Sequence, residues 1–155
     1  RQYQLHASPN HPKSRGEITL NSSDPYDYPK ILFNYLKEEE DLKQTRECIH
    51  VARKILSQPA LSEHAGEEVG PGFNAQSDDE LNEYIKSKAD TAYHPCGTCK
   101  MGVDDMAVVD QDLKVNGIGN LRVIDASVIP EIPSANLNAP TLMIAEKGSE
   151  AILNN

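Results

Sequence analysis

The sequence has no clustered basic residues, no long apolar run and few cysteines, and each absence argues against a class of function. Its 15 lysines and arginines are scattered among 24 aspartates and glutamates, for a formal net charge of −9. Nucleic-acid binding needs a basic face that displaces counterions from phosphates, so no nucleic-acid partner is expected. The acidic surplus reads as a solvated surface with a mild preference for cations. No apolar stretch reaches the roughly 18 to 20 residues that cross a bilayer as a helix, and no leader pattern is visible. Three cysteines (Cys48, Cys96, Cys99) are too few for a disulfide scaffold, and their odd number fits a reducing compartment. The first residue is Arg1, inside polar sequence, which reads as a piece of something longer.

What is present suffices for one domain with a core: 155 residues, 38% hydrophobic and 25% charged. Residues 1 to 16 read as polar loop. Alternation in Glu17-Ile18-Thr19-Leu20-Asn21 predicts a short strand, and Ile31-Leu32-Phe33 a second extended run. From about Glu38 to Gln58, Leu42, Thr45, Ile49, Ala52 and Leu56 recur at helical spacing, with Cys48 and Ile55 on the same flank. Acidic residues Glu38 to Asp41 sit where the helix dipole favours them, and Pro59 ends the helix. Residues 59 to 76 read as loop. Ser77-Asp78-Asp79-Glu80 is a capping box opening a helix to about Ala89. Three β-type runs come next, at 107 to 109, 113 to 115 and 121 to 124, then an irregular stretch from 125 to 138. Asn138 is expected to cap a last helix, with Pro140 in its first turn and an apolar first half that should be buried.

Three clusters could carry chemistry. Cys96-x-x-Cys99 lacks the second pair that a structural zinc site needs, and Pro95 and Gly97 favour a turn over a redox motif, so both thiols read as structural and no metal is expected. In His94-Pro95, proline confines the preceding residue to extended backbone, which suits an imidazole that must be aimed as a base. A satisfied structural histidine is the competing reading. Asn136-Leu137-Asn138-Ala139-Pro140-Thr141 opens a helix whose free amides favour an anion, or is an ordinary cap.

The residues His94-Pro95-Cys96-Gly97-Thr98-Cys99-Lys100-Met101-Gly102, Val108-Val109-Asp110, Leu121-Arg122-Val123-Ile124-Asp125-Ala126-Ser127 and Asn136 to Lys147 together resemble the C-terminal signature of the glucose–methanol–choline oxidoreductases. Upstream, Ile31-Leu32-Phe33-Asn34-Tyr35, Gln58-Pro59-Ala60-Leu61 and Cys96 are similar to its choline-oxidising branch. The resemblance implies an α+β or α/β fragment of a two-domain, FAD-dependent alcohol oxidase or dehydrogenase. Residues 1–92 would end the antiparallel-sheet substrate domain. Residues 93–155 would hold the active-site stretch and the return to the FAD domain. The family's G-x-G-x-x-G fingerprint is missing from this chain, so the N-terminal remainder of the enzyme is an expected partner.

By the same resemblance His94 is the catalytic base and Asn136 its partner on the substrate oxygen. Asp125, Ala126, Leu137 and Asn138 fall on FAD contacts, with the helix start facing the negative charge of the reduced flavin near N1 and O2. Tyr93 would line the alcohol pocket and could wall a quaternary ammonium. The implied substrate is choline, oxidised to betaine aldehyde, and the implied acceptor is oxygen or a respiratory quinone. The implied location is cytoplasmic, peripheral on the inner membrane at most. An aliphatic or aryl alcohol substrate and a non-catalytic binding module are the alternatives.

Overall fold

A computed structural model describes residues 3–154. Two short strands, β1 (Glu17–Thr19) and β2 (Lys30–Leu32), pair as a two-stranded sheet. Three α-helices come after them: α1 (Glu39–Leu56), α2 (Asp78–Lys88) and α3 (Asn138–Leu153). The chain divides into two compact units. One holds the residues up to Gly16 with Ile31–Asp90, the other Glu17–Lys30 with the chain from Thr91 onward.

In the first unit α1 carries Glu39, Glu40 and Asp41 in its first turn and Arg53 and Lys54 in its last, the polarity its dipole favours. Its expected stripe is half-buried, but Ile55 is 46% exposed and lies off it. The deepest residue is Asp41, only 2% exposed, whose carboxylate takes the amides of Lys13 (2.6 Å) and Ser14 (2.8 Å). The Ser14 hydroxyl in turn accepts the Glu38 amide. The acid expected merely to complement the dipole therefore anchors the preceding segment as well.

The capping box on α2 forms as expected, with Ser77 and Glu80 satisfying each other's amides. Leu81 and Ile85 of this helix are buried, at 0% and 3% exposure. Arg46 of α1 reaches Asn82 (2.6 Å) and Asp78 (3.2 Å), fixing the register of the helix pair. The stretch expected as loop contains a 3-10 helix at Pro59–His64, where proline presets the first φ. Arg53 organises the rest of that stretch, donating to Glu68 and to the carbonyls of Gly72 and Ala75.

The second unit is built on one apolar cluster of Val109, Leu113, Val128, Ile129, Leu137 and Ile144. The three β-type runs around it do not form strands. They meet only at isolated bridges, Met101 with Val109, Val109 with Val115, and Lys114 with Arg122. The cause is local: Asp110 accepts the amides of Asp112 and Lys114, and Leu113 adopts a positive φ of 62°. No two of the runs share consecutive bridges, so no ladder forms between them. Ala126–Val128, expected as irregular, is a single 3-10 turn.

Only one line of α3 is covered. Ile144 and Gly148 are buried, whereas Leu142 and Met143, expected inside, are 60% and 57% exposed. At Gly148 a β-carbon would sit 2.5 Å from Cγ2 of Ile124, so glycine is what lets the helix lie against that residue. The chain exposes 12001 Å². Several large apolar side chains are among the exposed residues, including Phe73 in the first unit and Leu142 and Met143 on α3.

Asp41 gives this fold a signed pH dependence. Burial alone pushes its carboxyl up, but the Lys13 and Ser14 amides, the Ser14 hydroxyl and the Arg15 charge outweigh burial and hold it below the ordinary range. A carboxyl lowered by folding stabilises above its unfolded pKa of about 4 and loses that contribution as pH falls through the folded value. Asp41→Asn should cost about 2 kcal/mol at pH 7, with the gap to wild type narrowing at pH 3. Urea denaturation at both pH values measures it, and a gap independent of pH would refute the assignment.

Candidate active site

The stretch expected to carry the chemistry begins with a tight turn. The amide of Tyr93 donates to the Thr91 hydroxyl at 3.0 Å, and Tyr93 lies in the left-handed region at φ 58°. This brings the Ala92 carbonyl onto Nδ1 of His94. A carbonyl can only accept, so Nδ1 carries the hydrogen and the neutral ring keeps its free lone pair on Nε2. His94 is half-buried, while Tyr93 is 78% exposed.

Beyond Pro95 the chain is fastened on two sides. The amides of Cys99 and Met101 donate to the carbonyls of Ser127 and Val128, at 3.0 and 2.8 Å. On the other side Val108 donates to the Lys100 carbonyl and Gly102 to that of Val109. Gly97, at φ 88°, supplies the left-handed turn that Pro95 leads into. Cys96 packs against the apolar cluster, and no disulfide forms among the described residues. No group of three or more His, Cys, Asp or Glu able to hold a metal occurs among the described residues.

Asp125 and Ala126 open the adjoining segment. Asp125 caps the 3-10 turn, its Oδ1 accepting the Ser127 amide at 2.8 Å, and Ala126 is packed on the cluster. The capping role expected of Asn138 falls instead to Leu137, without a side-chain bond, and Asn138 is the first helical residue. The reason is that Leu137 is drawn into the core, at 7% exposure, while its carbonyl takes both the amide and the hydroxyl of Thr141. The Leu137 side chain is thus committed to packing and its carbonyl to Thr141, which leaves its main-chain amide for any ligand. Asn136 and Asn138 are exposed, and the amides of Asn138 and Ala139 precede the first intrahelical bond.

The segments bearing His94, Asp125 and Asn136 therefore share one core, through Cys96, Ala126 and Leu137. Two open hollows, of about 290 and 850 Å³, lie elsewhere, along residues 110–122 and the last turns of α3. Neither is lined by Tyr93, His94 or Asn136. No helix among the described residues is long and apolar enough to cross a membrane.

The model of the GMC oxidoreductase family matches residues 12–145. This chain belongs to the GMC oxidoreductases. It is 50% identical over 153 residues to the oxygen-dependent choline dehydrogenase of Vibrio vulnificus (strain YJ016), covering 97% of this chain and 27% of that protein. The chain thus spans about a quarter of the length of the curated relatives it matches. Among solved structures, pyridoxine 4-oxidase from Mesorbium loti superposes with a TM-score of 0.86 at 31% identity, over 94% of this chain and 28% of that one. An FAD-dependent oxidoreductase from Chaetomium thermophilum gives 0.88 at 28% identity, over 93% and 25%. The family expected from the signature residues is the family found.

Reading this GMC sequence by motif missed Thr91 and the main-chain carbonyl of Ala92. A threonine two residues before an αL position is a known local signal, since its hydroxyl takes the i+2 amide. The carbonyl leaves no trace in side-chain identities. Gly97→Ala tests the turn: at φ 88° a β-carbon is strained and would lie 3.4 Å from the Ile129 carbonyl oxygen. The variant should lose about 1–2 kcal/mol in urea denaturation, and wild-type stability would show that the turn tolerates a side chain.

Proposed function

We propose that this chain forms the catalytic end of a longer FAD-dependent enzyme that oxidises choline to betaine aldehyde, with His94 as the base. The observation that carries the reading is the Nδ1 bond to Ala92, which leaves Nε2 of His94 as the acceptor for the alcohol's hydroxyl proton. When bound, FAD supplies the acceptor for the hydride leaving the alcohol carbon. Asn136 donates to the substrate oxygen, and Tyr93, exposed in this chain, walls the alcohol. The amides of Asn138 and Ala139 fit an anionic group, because they have no intrahelical partner and lie at the positive end of α3. The Asp125 amide and carboxylate, Ala126 and the Leu137 amide would hold the rest of the cofactor.

Identity of 47–50% to relatives named for choline and oxygen supports that substrate and that acceptor. The likeness to pyridoxine 4-oxidase favours an aryl alcohol as the second reading, to be settled by a substrate screen of flavin reduction. Residues 1–92 are assigned to the substrate domain and 93–155 to the return into the FAD domain. The uncovered apolar surface supports a remainder of the enzyme packing on it.

In the full-length enzyme His94→Ala should slow flavin reduction by choline about 10²–10⁴-fold in stopped-flow absorbance, and a near-wild-type rate would sink the assignment. The chain of residues 1–155, purified alone, should show no flavin absorbance. A stoichiometric yellow complex would contradict the division of the cofactor site between this chain and the remainder.

A further inference from the structure

Base catalysis by His94 needs the ring held in one tautomer, and the structure shows what holds it. Nδ1 of His94 meets the carbonyl of Ala92, two residues back in the chain. A residue cannot place its carbonyl there in extended backbone; the chain must reverse between Ala92 and His94. It does so at Tyr93, whose φ of 58° is a conformation that residues with a β-carbon adopt at a cost of about 1–2 kcal/mol. The group that offsets this cost is the Thr91 hydroxyl, which accepts the Tyr93 amide at 3.0 Å. Pro95 fixes the chain on the other side of His94.

We propose that Thr91 is a positioning residue for the reaction. Its hydroxyl holds Tyr93 in the left-handed turn, the turn places the Ala92 carbonyl, and the carbonyl fixes the proton on Nδ1 so that Nε2 faces the substrate. This rests on His94 being the base. The side chain whose identity matters is thus three residues before the histidine and acts only through main chain.

The test uses the full-length holoenzyme and two readouts. Thr91→Val removes the hydroxyl and keeps the shape; Thr91→Ser keeps the hydroxyl and loses a methyl. Thr91→Val should lower the rate constant for flavin reduction about tenfold while the substrate dissociation constant changes less than about twofold. Thr91→Ser should stay within about twofold of wild type in both. Independently of turnover, carbethoxylation of His94 in the alcohol-free enzyme, measured by peptide mass spectrometry, should speed up in Thr91→Val and not in Thr91→Ser. Wild-type reduction and labelling in Thr91→Val would overturn the proposal, as would equal impairment of the two variants. If Thr91→Val does not fold, Thr91→Ala is judged by the same readouts, and a loss of reduction in Thr91→Ser alone overturns the idea. Wild-type reduction in His94→Ala would defeat the base assignment instead, and the labelling comparison would still report whether Thr91 holds the ring.

Discussion

The candidate site of this chain depends on one small apolar cluster. Val109, Leu113, Val128, Ile129, Leu137 and Ile144 bring together segments that lie up to 35 residues apart in sequence. The side chains of His94, Asp125 and Asn136 are not part of that cluster. Each instead lies within two residues of one that packs in or on it: Cys96 after His94, Ala126 after Asp125, and Leu137 after Asn136. Burial of the neighbour sets the path of the main chain, and the path presents the polar residue. Close packing makes this effective, because a core that fits at organic-crystal density has little freedom to shift its backbone.

The cluster is also small for the chain it organises. Several large apolar residues remain in contact with water, among them Leu142 and Met143 on α3 and Phe73 in the first unit. At about 25 cal/mol per Å², such surface represents stabilisation not yet used. A helix apolar nearly all round is normally surrounded by protein, and α3 is covered along one line only. The expectation that its first half is buried fails at Leu142 and Met143, which are exposed.

What could be read from the sequence was local. The Ser77 to Glu80 capping box and the three helices derive from spacing and short-range bonding, and they stand within a residue or two of expectation. The anchoring of Asp41 was invisible, because its partners lie 27 and 28 residues upstream. The β-type runs had the composition of strands, but pairing is decided by the turns between them, and Leu113 at positive φ is not a residue from which a turn is read. The cap of α3 was placed one residue late, since two asparagines flank Leu137 and preference alone favours either over leucine. Core packing decided otherwise. The family signature singled out His94 by its neighbours and could say nothing of the carbonyl that meets its Nδ1.

That asymmetry has a consequence for which positions tolerate change. A site presented by main chain is insensitive to the identity of side chains that only need to fill volume, because swaps of equal size keep the path. It is sensitive at residues whose backbone conformation is unusual, because there the path itself is at stake. In the second unit Tyr93, Gly97, Leu113, Gly117 and Asn120 have positive φ, and two of these five lie within three residues of His94. Left-handed residues on both sides of His94, with Pro95 after it, set the path of the main chain there, and the Ala92 carbonyl meets Nδ1 of the ring. On the proposed reading of His94 as the base, its aim would be set before substrate arrives, which is the condition under which a hydrogen bond formed in the transition state needs no reorganisation.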